Sequence, residues 1–159
     1  MSISNTFFRC AFAFSFFFVS FAVIAEPTLE EVVVSARKVD ESVQDVPIAM
    51  SVFTSSDISD AGIERPEDFI ALTPNVVMAN TVNVGDTLVT IRGLTSTRDA
   101  ESNFAFVVDG VLQTNPNAFN RELLDIAQIE VLKGPQGALY GRNATSGAIL
   151  ITTKAPSEE

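Results

Sequence analysis

Between Cys10 and Ile24 the chain is apolar, interrupted only by Ser15 and Ser20. Past Glu26 that pattern ends, and apolar residues come in small clusters divided by polar stretches and turn residues. Residues 26–46 hold one such cluster, Val32-Val33-Val34, in charged and polar surroundings. This segment therefore reads as an extended, flexible leader with one strand-prone patch and no face to bury. Pro47 to Phe53 alternates weakly, as a first strand would. Ser55-Ser56-Asp57, followed by Ile58 and Ala61, predicts a helix start, and Gly62 its stop. A second short helix is predicted over Pro66–Leu72. Proline suits its first turn, Glu67 and Asp68 suit the positive end of its dipole, and Pro74 lies just beyond it.

Farther along, Leu88–Arg92 is a strand that Gly93 stops. Phe104–Val108 is another, turning at Asp109-Gly110 into Val111-Leu112-Gln113, and that dipeptide is a hairpin signal. Asn120–Leu124 suits one helical turn. Ile129–Leu132 and Ala148–Thr153 are strands on either side of KGPQGALYGRNATSG, residues 133–147, which holds four of the eight glycines. No internal repeat is present. The fold class predicted for residues 47–156 is α+β, a small mixed β-sheet with short helices. The polar stretches 81–87, 95–103 and 113–120 are expected to be loops poor in core residues, placed for contact with a ligand.

Composition changes the picture most at the N-terminus. Eight of the thirteen phenylalanines lie in the first 25 residues, with Arg9 the only charge there. One positive charge, a short apolar run and small side chains at Val23 and Ala25 predict a secretory signal peptide over 1–25, cleaved after Ala25. The run is short for a membrane span of about twenty residues. Cys10, the only cysteine, leaves with it. Residues 26–159 then carry nine basic and twenty acidic residues, and no cysteine, histidine or tryptophan. Such an acidic domain repels nucleic acid and anionic membrane. It also lacks disulfides, thiolate ligands, cysteine nucleophiles, the commonest general base and the commonest transition-metal ligand. No cofactor and no bound metal is expected.

The glycine-rich stretch invites a phosphate-binding reading, which its spacing defeats. Glycines 134, 137, 141 and 147 include no pair five apart ahead of Lys-Ser or Lys-Thr, and Lys133 precedes the first of them. No Gly-x-Gly is present for a dinucleotide loop. Ser146-Gly147 does not form a nucleophile elbow, and no histidine could serve as its base. Among twenty acids a carboxylate pair for hydrolysis is arithmetically available, but nothing singles one out. Asn143-Ala144-Thr145 is formally a glycosylation sequon. What remains is structural: the glycines make tight turns around a one-turn helix near Ala138-Leu139-Tyr140, so that two strands pack closely.

These residues carry a resemblance. IEVLKGPQGALYGRNATSGAILITTK, Ile129 to Lys154, resembles the end of the plug domain of TonB-dependent outer-membrane receptors. Val89-Thr90-Ile91-Arg92-Gly93 is similar to the family's strand ending in Ile-Arg-Gly, and Phe106–Val111 to its Val-Asp-Gly-Val hairpin. Glu31, Val32, Val33, Val34, Ser35 and Ala36, with Glu30 before them, resemble the TonB box that opens the mature chain. The resemblance spans about residues 29–156 and implies a mechanism. A plug fills a large barrel in the outer membrane of a Gram-negative bacterium. Substrate docks on its apical loops, and TonB's periplasmic domain then binds the box by strand addition and pulls. Val32 to Val34 suit that addition. The resemblance also implies that Arg92 and Lys133 pair with barrel glutamates. Lysine stands at 133 where the family often has arginine, which favours a point-charge contact over a bidentate one. Glu130 is expected to balance either cation within the plug. Gly93, Asp109, Gly110, Gly134, Pro135, Gly137, Tyr140, Gly141 and Gly147 are expected at structural turns.

The implied activity is gating and substrate sensing in active uptake of a scarce nutrient, an iron complex such as a ferric siderophore, and not enzymatic turnover. Residues 157–159 would begin the link to the barrel. A barrel of about 22 strands of about ten residues each does not fit in 159 residues, so the chain reads as the N-terminal part of a receptor. Two alternatives stand beside this reading. One is a stand-alone periplasmic binding domain; the other is a small periplasmic hydrolase built on a carboxylate pair.

Overall fold

A computed structural model of the chain describes residues 31–80, 87–96 and 101–156. In chain order the elements are β1 (Val33–Val34), β2 (Glu41–Ser42), β3 (Met50–Thr54), α1 (Ser55–Ala61), α2 (Pro66–Leu72), β4 (Val76–Asn80), β5 (Thr87–Ile91) and β6 (Leu94–Thr95). They continue with β7 (Phe104–Val108), β8 (Val111–Gln113), a 3₁₀ turn (Pro116–Ala118), β9 (Ile126–Lys133), α3 (Gly137–Tyr140) and β10 (Gly147–Thr153). The class is α+β, as the sequence predicts.

A five-stranded sheet of order β3-β9-β10-β7-β8 forms the centre. Its pairs are antiparallel except β10 with β7, which runs parallel in the register Ile149↔Phe106. β4, β5 and β6 make a separate antiparallel sheet, and β1 with β2 a small hairpin. Side chains alternate across a strand, so β9 serves two cores at once. Ile129 and Val131 join Phe69, Ile91, Phe106 and Ile149 on one face, while Leu132 joins Val107, Ala148 and Leu150 on the other.

The first face is covered by α1, α2 and the β4–β6 sheet. Local chemistry explains both helices. Thr54 and Asp57 close the start of α1 reciprocally: the Asp57 amide donates to Thr54 Oγ1 at 3.4 Å, and the Thr54 amide to Asp57 Oδ2 at 2.9 Å. The Thr54 hydroxyl, donating to Asp57 Oδ2 at 2.7 Å, and then the Thr54 amide hold the Asp57 carboxyl below its ordinary pKa. Gly62 ends the helix at a φ of 63°. Pro66 opens α2, and Asp68 accepts from the amides of Glu64 and Arg65 at 3.0 and 2.8 Å. The five phenylalanines beyond residue 25 all meet here. Phe119 packs edge-on against Phe104 and Phe106, each 5.1 Å away, and against Phe69 at 6.4 Å; Phe53 adjoins Phe69.

The second face overturns an expectation. Residues 32–46 are not an extended segment without a face to bury. Val34, Ala36 and Val46 lie at 1%, 0% and 7% exposure against Leu132, Ala148 and Leu150. The physical reason is the sheet itself, whose second face is apolar and would otherwise meet water. Val32, Val34 and Ala36 point inward while Glu31, Val33 and Ser35 point outward, the period-two pattern of a half-buried strand.

Smaller differences have local causes. The first strand begins at Met50, not Pro47, and β4 and β6 are additional strands. Asn120–Leu124 forms no helical turn; the turn comes earlier, at Pro116–Ala118, where the Asn115 side chain accepts from the Asn117 amide at 3.0 Å. Stretch 113–120 is not poor in core residues, because it carries Phe119 into the first core. The predicted signal peptide, 81–86, 97–100 and 157–159 lie outside the described residues. Among the described residues, no helix is long and apolar enough to cross a membrane, which says nothing of a β-barrel.

Candidate functional site

The docked leader is the most specific polar site on the second face. Consecutive residues of a strand direct their backbone groups to opposite edges. On one edge, β1 pairs with β2 in the register Val33↔Ser42 and Val34↔Glu41, and the Val43 amide donates to the Val32 carbonyl at 3.0 Å. A turn at 35–38, with Lys38 at a φ of 60°, reverses the chain between the two strands. It is tied by Ser35 Oγ donating to Asp40 at 2.7 Å and by an exposed Arg37–Glu41 ion pair at 3.2 Å.

On the other edge the partners are side chains. Gln128 Nε2 donates to the Val33 carbonyl at 2.9 Å, and the Ser35 amide donates to Glu130 Oε1 at 3.0 Å. Gln128 Nε2 also lies 3.3 Å from Glu130 Oε1. Tyr140 Oη donates to the Ala36 carbonyl at 2.9 Å. Glu130 is 2% exposed, and among the described residues its Oε2 accepts no hydrogen bond. Burial raises its pKa above the usual glutamate value; the Ser35 amide opposes this, and the Asp40 carboxylate adds to it. Burial, then the charge of Glu130, also raises the Tyr140 phenol. A cavity of about 560 Å³ opens beside these groups, lined by Ser35, Asp40, Leu112, Glu130, Tyr140 and Leu150.

Glu130 therefore balances neither cation. Lys133 lies three positions farther along the same strand, which places the two side chains on opposite faces. Lys133 Nζ donates to Ser51 Oγ at 3.0 Å. Arg92, at a φ of 50° in the β5–β6 turn, lies over Gly134. Desolvation lowers the Lys133 pKa first, and the Arg92 charge lowers it further. Neither cation forms a salt bridge among the described residues.

The expected turn residues divide into groups. Arg92-Gly93 and Asp109-Gly110 are two-residue hairpin turns with both residues at positive φ, the last pair at 47° and 78°. Asp109 does more than turn: its carboxylate accepts from the Thr153 amide at 2.8 Å and its hydroxyl at 2.9 Å, pinning the end of β10. Gly134 and Gly141 have positive φ, and Pro135 lies in the connection after β9. Gly137, Tyr140 and Gly147 are not turn residues. Gly137 opens α3, and Tyr140 ends it with its hydroxyl on the leader. Gly147 starts β10, where a Cβ would overlap the Leu132 carbonyl oxygen. The Ser146 hydroxyl donates to the Asn103 carbonyl at 3.0 Å. Gln128 and the residues of β2 were missed by sequence reasoning. The available signal was β9's own alternation, which puts Gln128 and Glu130 on one face beside a strand-prone leader.

No group of three or more histidine, cysteine, aspartate or glutamate side chains among the described residues is arranged to hold a metal. A mixed sheet with an N-terminal strand latched across its face, and two cations without carboxylate partners among the described residues, has the features of a plug. The family model described as TonB-dependent Receptor Plug Domain matches residues 42–148, and the chain belongs to that family. It is 31% identical to the pesticin receptor of Yersinia enterocolitica over 132 residues, covering 82% of this chain and 19% of the receptor. It is 32% identical to the vitamin B12 transporter of Vibrio vulnificus over 139 residues, 83% of this chain and 22% of the transporter. The crystal structure of the ferric yersiniabactin uptake receptor of Yersinia pestis superposes with a TM-score of 0.64 at 30% identity, over 70% of this chain and 18% of that one. The chain thus spans about a fifth of the length of these relatives, which are receptors and a transporter and not enzymes.

Proposed function

We propose that the chain is the gating plug, with its TonB-binding leader, of an outer-membrane receptor for active nutrient uptake. An iron complex of the ferric siderophore type is the favoured substrate. One observation carries the reading: Glu31–Ala36, with the two-residue strand β1 at its centre, is seated on a finished sheet, with Val33 49% exposed. The sheet does not need this strand to complete a ladder, so the strand can be drawn off and added to another protein's edge. The match of residues 42–148 to the plug family supports the rest. Substrate class follows the relatives: one is a ferric yersiniabactin uptake receptor, though another transports vitamin B12. Residues 1–25 act as the export signal, 26–46 as the leader, 47–156 as the plug, and 157–159 lead toward a barrel in the outer membrane. Arg92 and Lys133, which pair with no carboxylate among the described residues, meet carboxylates of that barrel.

The test is binding of TonB's periplasmic C-terminal domain to the full chain, measured by calorimetry. Binding is expected for the wild type and lost in Val33→Pro, because proline cannot donate to an added strand. Undiminished binding by that variant would remove the leader's role.

A further inference from the structure

We propose that the cavity beside Glu130 is a binding site for a small organic monocation, an ammonium group on a short hydrocarbon body. Glu130 and Asp40 receive the charge, and Val107, Leu112, Leu139 and Leu150 take the body. The site does not depend on which protein the leader binds.

Size and division of the walls come first. At about 560 Å³ the cavity lies within the range of about 300–1,000 Å³ typical of small-molecule sites. Val107 and Leu150 line it from the sheet, Leu112 from β8 and Leu139 from α3. The two carboxylates line it as well, Glu130 from β9 and Asp40 from the hairpin. An apolar wall with a few convergent polar groups suits a guest that is apolar over its body and charged at its head. The described lining residues include none from 81–87, 95–103 or 113–120, the stretches expected to contact a transported substrate.

The sign of the charge follows from the two acids. Neutral donors alone reach them. The Ser35 amide and the Gln128 side chain hold Oε1 of Glu130, and Ser35 Oγ donates to Asp40 at 2.7 Å. Glu130 is 2% exposed, yet its Oε2 has no partner among the described residues. Lys38, the one basic residue among the described lining residues, directs Nζ to the Tyr140 ring, 5.7 Å from its centre. It forms no salt bridge with either acid. The charge of Asp40 acts on Glu130, so the two carboxylates are near enough to share one guest. Two acids beside one lysine leave a single negative charge to be met, hence a monocation. An ammonium brings three donors, enough for Glu130 Oε2, Asp40 and the Tyr140 oxygen. Tyr140's own proton is already committed to the Ala36 carbonyl. An anion would meet two like charges, and an alcohol has one donor and no charge. A buried acid left unmatched costs stability, and such groups concentrate where ligands bind.

The experiment titrates the isotope-labelled full chain with n-pentylammonium, 1-pentanol, hexanoate and methylammonium, reading backbone amide shifts by NMR. About 0.15 M salt screens contacts with exposed acids. Pentylammonium should shift the amides of Ser35, Asp40, Tyr140 and Leu150 and saturate with a Kd on the order of 1–10 mM. The alcohol, with the same body, and methylammonium, with the same charge, should each bind at least tenfold more weakly; hexanoate should not bind. Glu130→Gln should weaken pentylammonium at least tenfold and leave 1-pentanol unchanged, which a merely structural disturbance would not do. Asp40→Asn, at an exposed position of the hairpin, gives the same test without touching the core and should cost several-fold. Equal affinity for the ammonium and the alcohol would overturn the site. So would shifts confined to residues away from the cavity, or unchanged pentylammonium binding in both variants.

Discussion

The two faces of the central sheet are built from the same strands and serve opposite ends. On the first, every second residue of β9, β10 and β7 meets two capped helices, a second sheet and a cluster of five aromatic rings. On the second, alternate residues of those strands are smaller, with Ala105 and Ala148 among them, and the cover is a short hairpin seated through Val34, Ala36 and Val46. A buried carboxylate with an unmatched oxygen and a cavity of about 560 Å³ lie in that interface. Large interlocked apolar surfaces resist opening, whereas small ones with polar contacts open at low cost. One face thus holds the plug together through a large apolar interface, and the other is closed by a smaller and more polar one.

The contrast breaks most visibly at Phe119. Its ring touches three others edge-on at 5.1 to 6.4 Å and is 3% exposed. Phe119→Ala should lower the free energy of unfolding by about 3–5 kcal/mol, through lost burial and the cavity left behind. Urea denaturation of the full chain measures this, and a single cooperative transition at lower urea is the expected form. A loss under about 1 kcal/mol would show that the aromatic cluster does not anchor the fold.

Val34→Ala tests the second face. The side chain is 1% exposed, and removing two methyl groups should cost about 2 kcal/mol at that site. The cost is expected in local opening: faster amide exchange at 33–36, with the urea midpoint of the body shifted much less than by Phe119→Ala. If the midpoint moved as far as in Phe119→Ala, both faces would belong to one cooperative unit and the distinction would be lost.

Sequence reading succeeded where a signal is local. Ser55-Ser56-Asp57 marks the start of α1 to within one residue of its cap, Thr54, α2 opens on proline, and the hairpin at Asp109-Gly110 needs two residues that accept positive φ. Each is decided within a few positions. The leader is decided elsewhere, by the apolar second face of strands about a hundred residues downstream, and Val32-Val33-Val34 looked like a cluster instead of an alternation continued by Ala36. Glu130 shows the same limit. Its charge suggested a partner in Arg92 or in Lys133, the latter close in sequence but on the other face, while its real contact is the Ser35 amide, 95 residues away. Gln128 carried no motif at all; only the seated leader gives it a role.

The smallest expected effect is the most diagnostic, because its sign depends on which face Glu130 occupies. Burial on the second face raises its pKa above that in the unfolded chain, near 4.5. A raised acid means the folded state binds the proton more tightly, so stability is greatest below the unfolded value. It falls as pH rises from there through the folded pKa, and is level above it. The groups facing the carboxylate are Asp40 and Lys38 from the hairpin and Tyr140 from α3. Asp40 reinforces the shift, and Tyr140 remains neutral in that window. Glu130→Gln keeps an oxygen for the Ser35 amide and removes the charge. The variant should gain on the wild type as pH is raised from about 4.5 to 7, by a total on the order of 1 kcal/mol, and lie level with it or below at lower pH. Parallel urea titrations across that range read the difference. A gap that does not change with pH would mean that Glu130 is solvated in the folded protein, and the second face would then close without a buried charge to loosen it.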